Sequence, residues 1–296
     1  ICEYCYLIKI KKMKIGYFGD GPWAHKALDL LIERNGIEIQ FICGRYNKKD
    51  IILEKKANDL NIKFITEQDI NKDLFREILN EYNCDLFVSM SFNQIFKKLT
   101  YEIPKYGTIN CHAGKLPFYR GRNILNWVLI NDEKEFGITV HFIDEGIDTG
   151  DVIIQETFEI TDIDTYKTLL EKAYQECPRI LLNAIIKIMN NEAFPLAQKT
   201  INQSFMYCSM RKEGDEIIEW NSSSRDIFNF IRALTYPGPC AISYINSQQI
   251  KIKKAAFIKN APIYIGIPGS IIDLDTDCFF VKTKDSYLKI LEWEYN

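Results

Sequence analysis

Between residues 13 and 190, short and nearly continuous apolar runs alternate with stretches whose apolar residues recur at helical spacing. Few folds accommodate that alternation. The runs cover 13–19, 37–43, 62–65, 85–90, 107–112 and 137–143. Between them Ala24, Ala27, Leu28 and Leu31 line one helical face, and further helices fit about 51–60 and 72–82. Strands that are apolar on both faces must be covered on both, so the pattern predicts an α/β domain, a parallel sheet flanked by helices. A helix of roughly 20 residues fits 165–190. After Asn190 the texture changes. A polar segment, 191–213, leads to a short helix near 223–234 and a break at Tyr236-Pro-Gly-Pro239. Then come β-like runs at 240–245, 249–257, 270–274, 278–283 and 287–292, which predict a small all-β module. The boundary falls near 200, giving domains 13–200 and 201–296. Residues 1–12 begin without Met, lead into Met13 as a natural start, and read as an extension without function.

Charge and composition narrow the function classes. The 296 residues carry 37 Lys+Arg against 40 Asp+Glu, a net −3, and a nucleic-acid backbone calls for a basic excess instead. No apolar stretch is long enough for a transmembrane helix, and 13% aromatic residues exclude disorder. The nine cysteines stand mostly singly inside apolar runs and are odd in number, which fits reduced thiols of a cytoplasmic protein. The three histidines, at 25, 112 and 141, show no ligand spacing, so no metal is expected.

Three segments carry candidate chemistry. Gly19-Asp-Gly-Pro-Trp-Ala24 matches a dinucleotide fingerprint, with Arg45 placed for a 2′-phosphate. Pro22 and Trp23 would crowd a pyrophosphate, so a tight turn is the preferred reading and an NAD(P)-dependent oxidoreductase the distant alternative. The second segment, Asn110-Cys-His-Ala-Gly-Lys-Leu-Pro-Phe-Tyr-Arg-Gly121, is denser. On a strand, Asn110 and His112 share a face while Cys111 points away. An amide beside an imidazole can stabilise an oxyanion and manage a proton, whereas a lone histidine is more often a satisfied core residue. The third segment is the acid-rich loop Asp144-Glu-Gly-Ile-Asp-Thr-Gly-Asp151, which by itself reads as a solvated turn.

Together these segments resemble the formyltransferase family that uses 10-formyltetrahydrofolate. The resemblance rests on Asn110-x-His112, on Leu116-Pro-x-Tyr-Arg-Gly121 and on the run Gly137 to Asp151. Ile218-Glu-Trp-Asn221, the helix around Ile227–Ala233 and Pro237-Gly238 resemble the opening of that family's OB-like C-terminal domain. The resemblance implies a Rossmann-like catalytic domain with Asn110, His112 and Asp148 as catalytic residues. It implies a folate co-substrate near Ser89, Met90, Phe92, Asp144 and Gly146. Trp23, Lys115, Tyr119 and Arg120 are the implied substrate-binding residues. Details of residues 19–23, 112–121 and Asn126-Trp127 are most similar to sugar N-formyltransferases of glycan biosynthesis. Those enzymes formylate a nucleotide-linked aminodeoxysugar and are often homodimers. Methionyl-tRNA formyltransferase is the alternative, and the tail argues against it: residues 201–296 hold 11 Lys+Arg and 11 Asp+Glu.

Overall fold

The structure, a computed structural model, describes residues 12–295. Most of the expected extension, residues 1–11, lies outside the described residues. The described chain divides into two compact units. One takes 12–118, 137–156 and 173–205; the other takes 119–136, 157–172 and 206–295.

The elements run in order β1 (Met13–Gly19), α1 (Gly21–Ile32), β2 (Ile37–Gly44), α2 (Ile51–Asp59), β3 (Lys63–Thr66), α3 (Asp73–Glu81) and β4 (Leu86–Met90). There follow α4 (Lys98–Tyr101), β5 (Thr108–His112), β6 (Arg120–Gly121), α5 (Ile124–Ile130), β7 (Glu135–Phe142), β8 (Val152–Glu159), α6 (Tyr166–Asn190) and α7 (Gln198–Ile201). A seven-stranded sheet has the order β3-β2-β1-β4-β5-β7-β8. β3, β2, β1, β4 and β5 are parallel neighbours, as the apolar runs predict. β7 departs from the expectation: it pairs antiparallel with β5. Under the sheet, Phe18 meets Phe41, Phe87 and Phe96 edge-on, with ring centroids 5.4, 5.3 and 4.9 Å apart. Such pairs add about 0.5–1.5 kcal/mol each beyond area burial. Gly16 keeps that cluster closed, since a Cβ there would sit 2.5 Å from the Phe41 ring.

In the second unit β9 (Tyr207–Cys208) and α8 (Ser224–Leu234) precede β10 (Ala241–Ile245), β11 (Gln248–Ala256), β12 (Ile271–Leu274), β13 (Phe279–Lys282) and β14 (Tyr287–Tyr295). The sheet is antiparallel, in the order β10-β11-β14-β13-β12. Ser223 caps α8 by accepting from the Asp226 amide, and Ile227, Phe228, Ile231 and Leu234 pack on Ile250, Ile252, Val281 and Leu288. Arg225 holds Asp132 at 2.5 Å and Asp162 at 2.7 Å. Six elements, α4, β6, α5, β8, α7 and β9, were not marked by the pattern. The seven residues of α5 are too short to show a period, and β8 carries a half-exposed mixture, Val-Ile-Ile-Gln-Glu-Thr-Phe-Glu. α6 is also longer than expected, 25 residues with Pro178 inside it.

Candidate active site

β5 delivers Asn110 and His112 to one face by the two-residue period of a strand. Cys111 turns the other way, its thiol donating to the Cys177 carbonyl at 3.7 Å, so it is no partner for His112. The antiparallel register then sets His141 opposite Asn110 and Thr139 opposite His112, on the same face. The loop after β7 returns Asp148 to this group. Asp148 Oδ2 lies 3.7 Å from His112 Nδ1, and Oδ1 lies 3.5 Å from His141 Nε2. Asn110 Nδ2 is 3.4 Å from His141 Nε2, and His141 Nδ1 donates to the Phe142 carbonyl at 2.7 Å. His112 is 9% exposed and His141 2%. One carboxylate thus faces two imidazoles, one of which faces an amide, at the carboxyl end of β5. Interactions of this kind are stronger in a site shielded from water.

The loops on either side are pinned. Thr139 Oγ1 donates to the Gly114 carbonyl at 2.6 Å, and Gln155 Nε2 donates to the Leu116 carbonyl at 2.8 Å and to Thr139 Oγ1 at 2.9 Å. Asp148 has a left-handed backbone, φ 53°, and Gly150 follows where an added Cβ would run into the Phe142 carbonyl.

The sequence singled out Asn110, His112 and Asp148, and the structure brings them together. His141, Thr139, Gln155 and Gln198 were missed. Of the residues tied to the folate, Ser89 and Met90 end β4 with buried side chains, and Phe92 turns into the core against Phe18, 5.5 Å between centroids. Asp144 Oδ1 accepts from the Gly146 amide at 3.1 Å and from Thr149 Oγ1, which shapes the acidic turn. Of the residues tied to the substrate, Trp23 packs edge-on against Tyr174 at 4.7 Å, and Lys115 is half-buried in the loop after β5. Tyr119 and Arg120 belong to the second unit. There Tyr119 donates to Glu133 at 2.5 Å, and Arg120 reaches the Tyr207 hydroxyl at 3.5 Å.

Other chemistries fit poorly. At the start of α1, where a pyrophosphate would sit, the Gly21 amide already donates to Asp50 at 2.8 Å, and Asp20 pairs with Arg45 at 2.8 Å. The fingerprint glycines are accounted for by the turn. Burial pushes the Cys84 and Cys208 thiols up to about 12 and about 11, the reverse of an activated nucleophile. Among the described residues no group of three or more His, Cys, Asp or Glu is placed to hold a metal ion, and no helix is long and apolar enough to cross a membrane.

Comparison with known proteins identifies the family. Residues 13–185 match the family Formyl transferase, and 211–295 match Formyl transferase, C-terminal domain. A methionyl-tRNA formyltransferase of Clostridium tetani is 33% identical over 96% of this chain and 92% of its own length. The solved structure of WlaRD, a sugar 3N-formyl transferase in the presence of dTDP and 5-N-formyl-THF, is 28% identical. It superposes with a TM-score of 0.71, covering 95% of this chain and 97% of its own. An N-formyltransferase from Helicobacter canadensis, in complex with folinic acid and dTDP-3-aminofucose, shares the fold at 23% identity. Its TM-score is 0.71, over 95% of this chain and 100% of its own. The chain belongs to the formyl transferase family, enzymes whose formyl donor is 10-formyltetrahydrofolate.

Proposed function

We propose that this formyltransferase moves the formyl group of 10-formyltetrahydrofolate onto the amino group of a nucleotide-linked aminodeoxysugar. The observation that carries the acceptor is the likeness to the sugar 3N-formyl transferase structure over nearly the whole of both chains. The neutral charge balance of residues 201–296 supports it, because a diphosphate needs only a few local cations whereas tRNA needs a positive field. The second reading, a methionyl-tRNA acceptor, is favoured by the 33% identity to the C. tetani enzyme.

The chemistry follows from the placement of the side chains. The neutral amine attacks the formyl carbon, and the carbonyl oxygen becomes an oxyanion. Asn110 donates its side-chain amide to that oxygen. His112 turns Nδ1 toward Asp148, which directs Nε2 to the opposite side of the ring for proton handling. Asp148, between two imidazoles, orients His112 and helps pass the amine's proton to the departing N10. The folate fits the segment after β4: Asn93 Oδ1 is buried there without a hydrogen-bond partner, an acceptor suited to a pterin N–H. The buried side chains of Ser89 and Met90, with Phe92 packed on Phe18, leave backbone groups to read the ring edge.

We place the enzyme in the cytoplasm as a homodimer, with residues 13–200 as the catalytic domain and 201–296 as the β domain. Seven described cysteines are free and buried, which suits a reducing compartment. For the dimer, the border of the second unit's sheet supplies a surface. Tyr264 and Gly266 face Lys282, so Ile263, Ile265 and Ile267 turn outward, 84%, 99% and 78% exposed, beside the edge strand β12. Sedimentation of the protein as a monomer would remove that element.

The deciding assay incubates the enzyme and 10-formyltetrahydrofolate with a panel of nucleotide-aminosugars and with initiator tRNA charged with methionine, whose α-amino group is the competing acceptor. A product heavier by one CO unit on a sugar is the expected result. Formylation of the tRNA alone refutes the acceptor assignment, and no transfer to any amine refutes the function.

A further inference from the structure

Asp148 is useful only while its carboxylate stays between His112 and His141, yet its backbone lies in the left-handed region that side chains other than glycine seldom adopt. Something must hold it there. Gln198, the first residue of α7, is 4% exposed. Its Nε2 donates to the Asp148 carbonyl at 2.8 Å and to the Gly150 carbonyl at 2.9 Å. One planar amide therefore ties down the backbone on both sides of Thr149. The glutamine is itself anchored, because Leu196 exchanges both backbone hydrogen bonds with Val152, each 2.9 Å, just beyond Gly150. The side chain chosen is specific to the task. Two carbonyl acceptors require two N–H donors, which a neutral primary amide supplies and a carboxylate cannot. Asparagine is one methylene too short to span the same gap.

We infer that Gln198 is a positioning residue of the transfer reaction: it acts through Asp148, clamping the acidic loop so that the carboxylate meets both imidazoles. This rests on the role given to Asp148 above. Gln198 lies 50 residues beyond Asp148, outside every motif that marks the site. Its removal moves the acid without touching substrate, and a displacement of about 1 Å in a catalytic group costs roughly 10²-fold.

The test compares Gln198→Met, which keeps the bulk and removes both donors, with wild type, Gln198→Glu and Asp148→Asn. We expect Gln198→Met to lower kcat by at least about tenfold while leaving both KM values within about threefold. Gln198→Glu should be no better. In the Asp148→Asn background the same substitution should change kcat by less than about twofold, because the group it positions is already disabled. A kcat for Gln198→Met within about threefold of wild type, or an equal loss in both backgrounds, overturns the inference. Hydrogen exchange of the 144–151 amides gives a readout independent of turnover. Faster exchange in Gln198→Met, with the rest of the unit unchanged, supports the clamp, and unchanged exchange refutes it even if the wild-type acceptor proves to be something else.

Discussion

Replacing His141 by phenylalanine keeps a ring in a buried place and removes both of its nitrogens. Three contacts disappear: Nδ1 to the Phe142 carbonyl at 2.7 Å, and Nε2 facing Asp148 at 3.5 Å and Asn110 at 3.4 Å. The first is a full hydrogen bond within the strand. Its loss takes that donor from a part-buried carbonyl and should destabilise the fold by about 0.5–1.5 kcal/mol. The other two are longer than the ordinary 2.9–3.0 Å or so, so each is worth less than a well-formed charged bond. With Nδ1 donating to the carbonyl, Nε2 either donates to the Asp148 carboxylate or accepts from the Asn110 amide and cannot do both, so one such bond of about 0.7–1 kcal/mol is lost. At about 1.4 kcal/mol per decade, kcat should fall by about threefold to fivefold. In the proposed mechanism His112 handles the proton, so His112→Ala should cost more, about 10²–10⁴. Steady-state formyl transfer, with thermal unfolding measured on each variant, gives both numbers. A supporting role for His141 is refuted if His141→Phe is as damaging as His112→Ala, which would make His141 the proton carrier. It fails equally if His141→Phe stays within about twofold of wild type, which would make the Asp148 contact irrelevant.

Asn110→Ala should lower kcat by about 10²–10³ with the acceptor's KM little changed, and combining it with His112→Ala should lose far less than the product of the two, because both serve one transition state; transfer kinetics of the double variant check this. Asn93→Leu should raise KM for the formyl donor by about tenfold without lowering the melting temperature of the ligand-free protein, since it removes a buried acceptor that has no partner. In the second unit, burial pulls the Asp132 carboxyl upward, but hydrogen bonds from Arg225 and Lys134 outweigh it and hold the pKa at about 2. The folded value lies below the unfolded one, near 3.9 or so, so this stabilisation is complete above about pH 4 and drains away as pH falls toward 2. Asp132→Asn should therefore flatten the acid limb of the stability curve between those values, which a pH series of denaturant melts measures.

What could be read from the sequence, and what could not, divides along a physical line. Asn110 and His112 were legible as a pair because their geometry is local: two residues apart on a strand means one face. The apolar runs of β1, β2, β4 and β5 were legible for a similar reason, since strands buried on both faces need little polar residue. The direction of β7 was not. An apolar run such as 137–143 looks the same whichever way it lies beside its neighbour, and only the antiparallel choice sets His141 across from Asn110. Asp148 sat in a loop that composition reads as solvent-facing, and it became a candidate only through the family's motif. Gln198 had no local signal, because its role depends on the chain returning to Val152 after the long helix α6. The residues proposed to do the chemistry are supplied by two segments with recognisable patterns. The residues that hold them in place come from pairings between remote segments, where a buried glutamine with two carbonyls in reach is visible only once the backbone is drawn. A search for candidate catalytic side chains in sequence thus finds Asn110, His112 and Asp148 and passes over Gln155 and Gln198, which hydrogen-bond the loops that carry the first group.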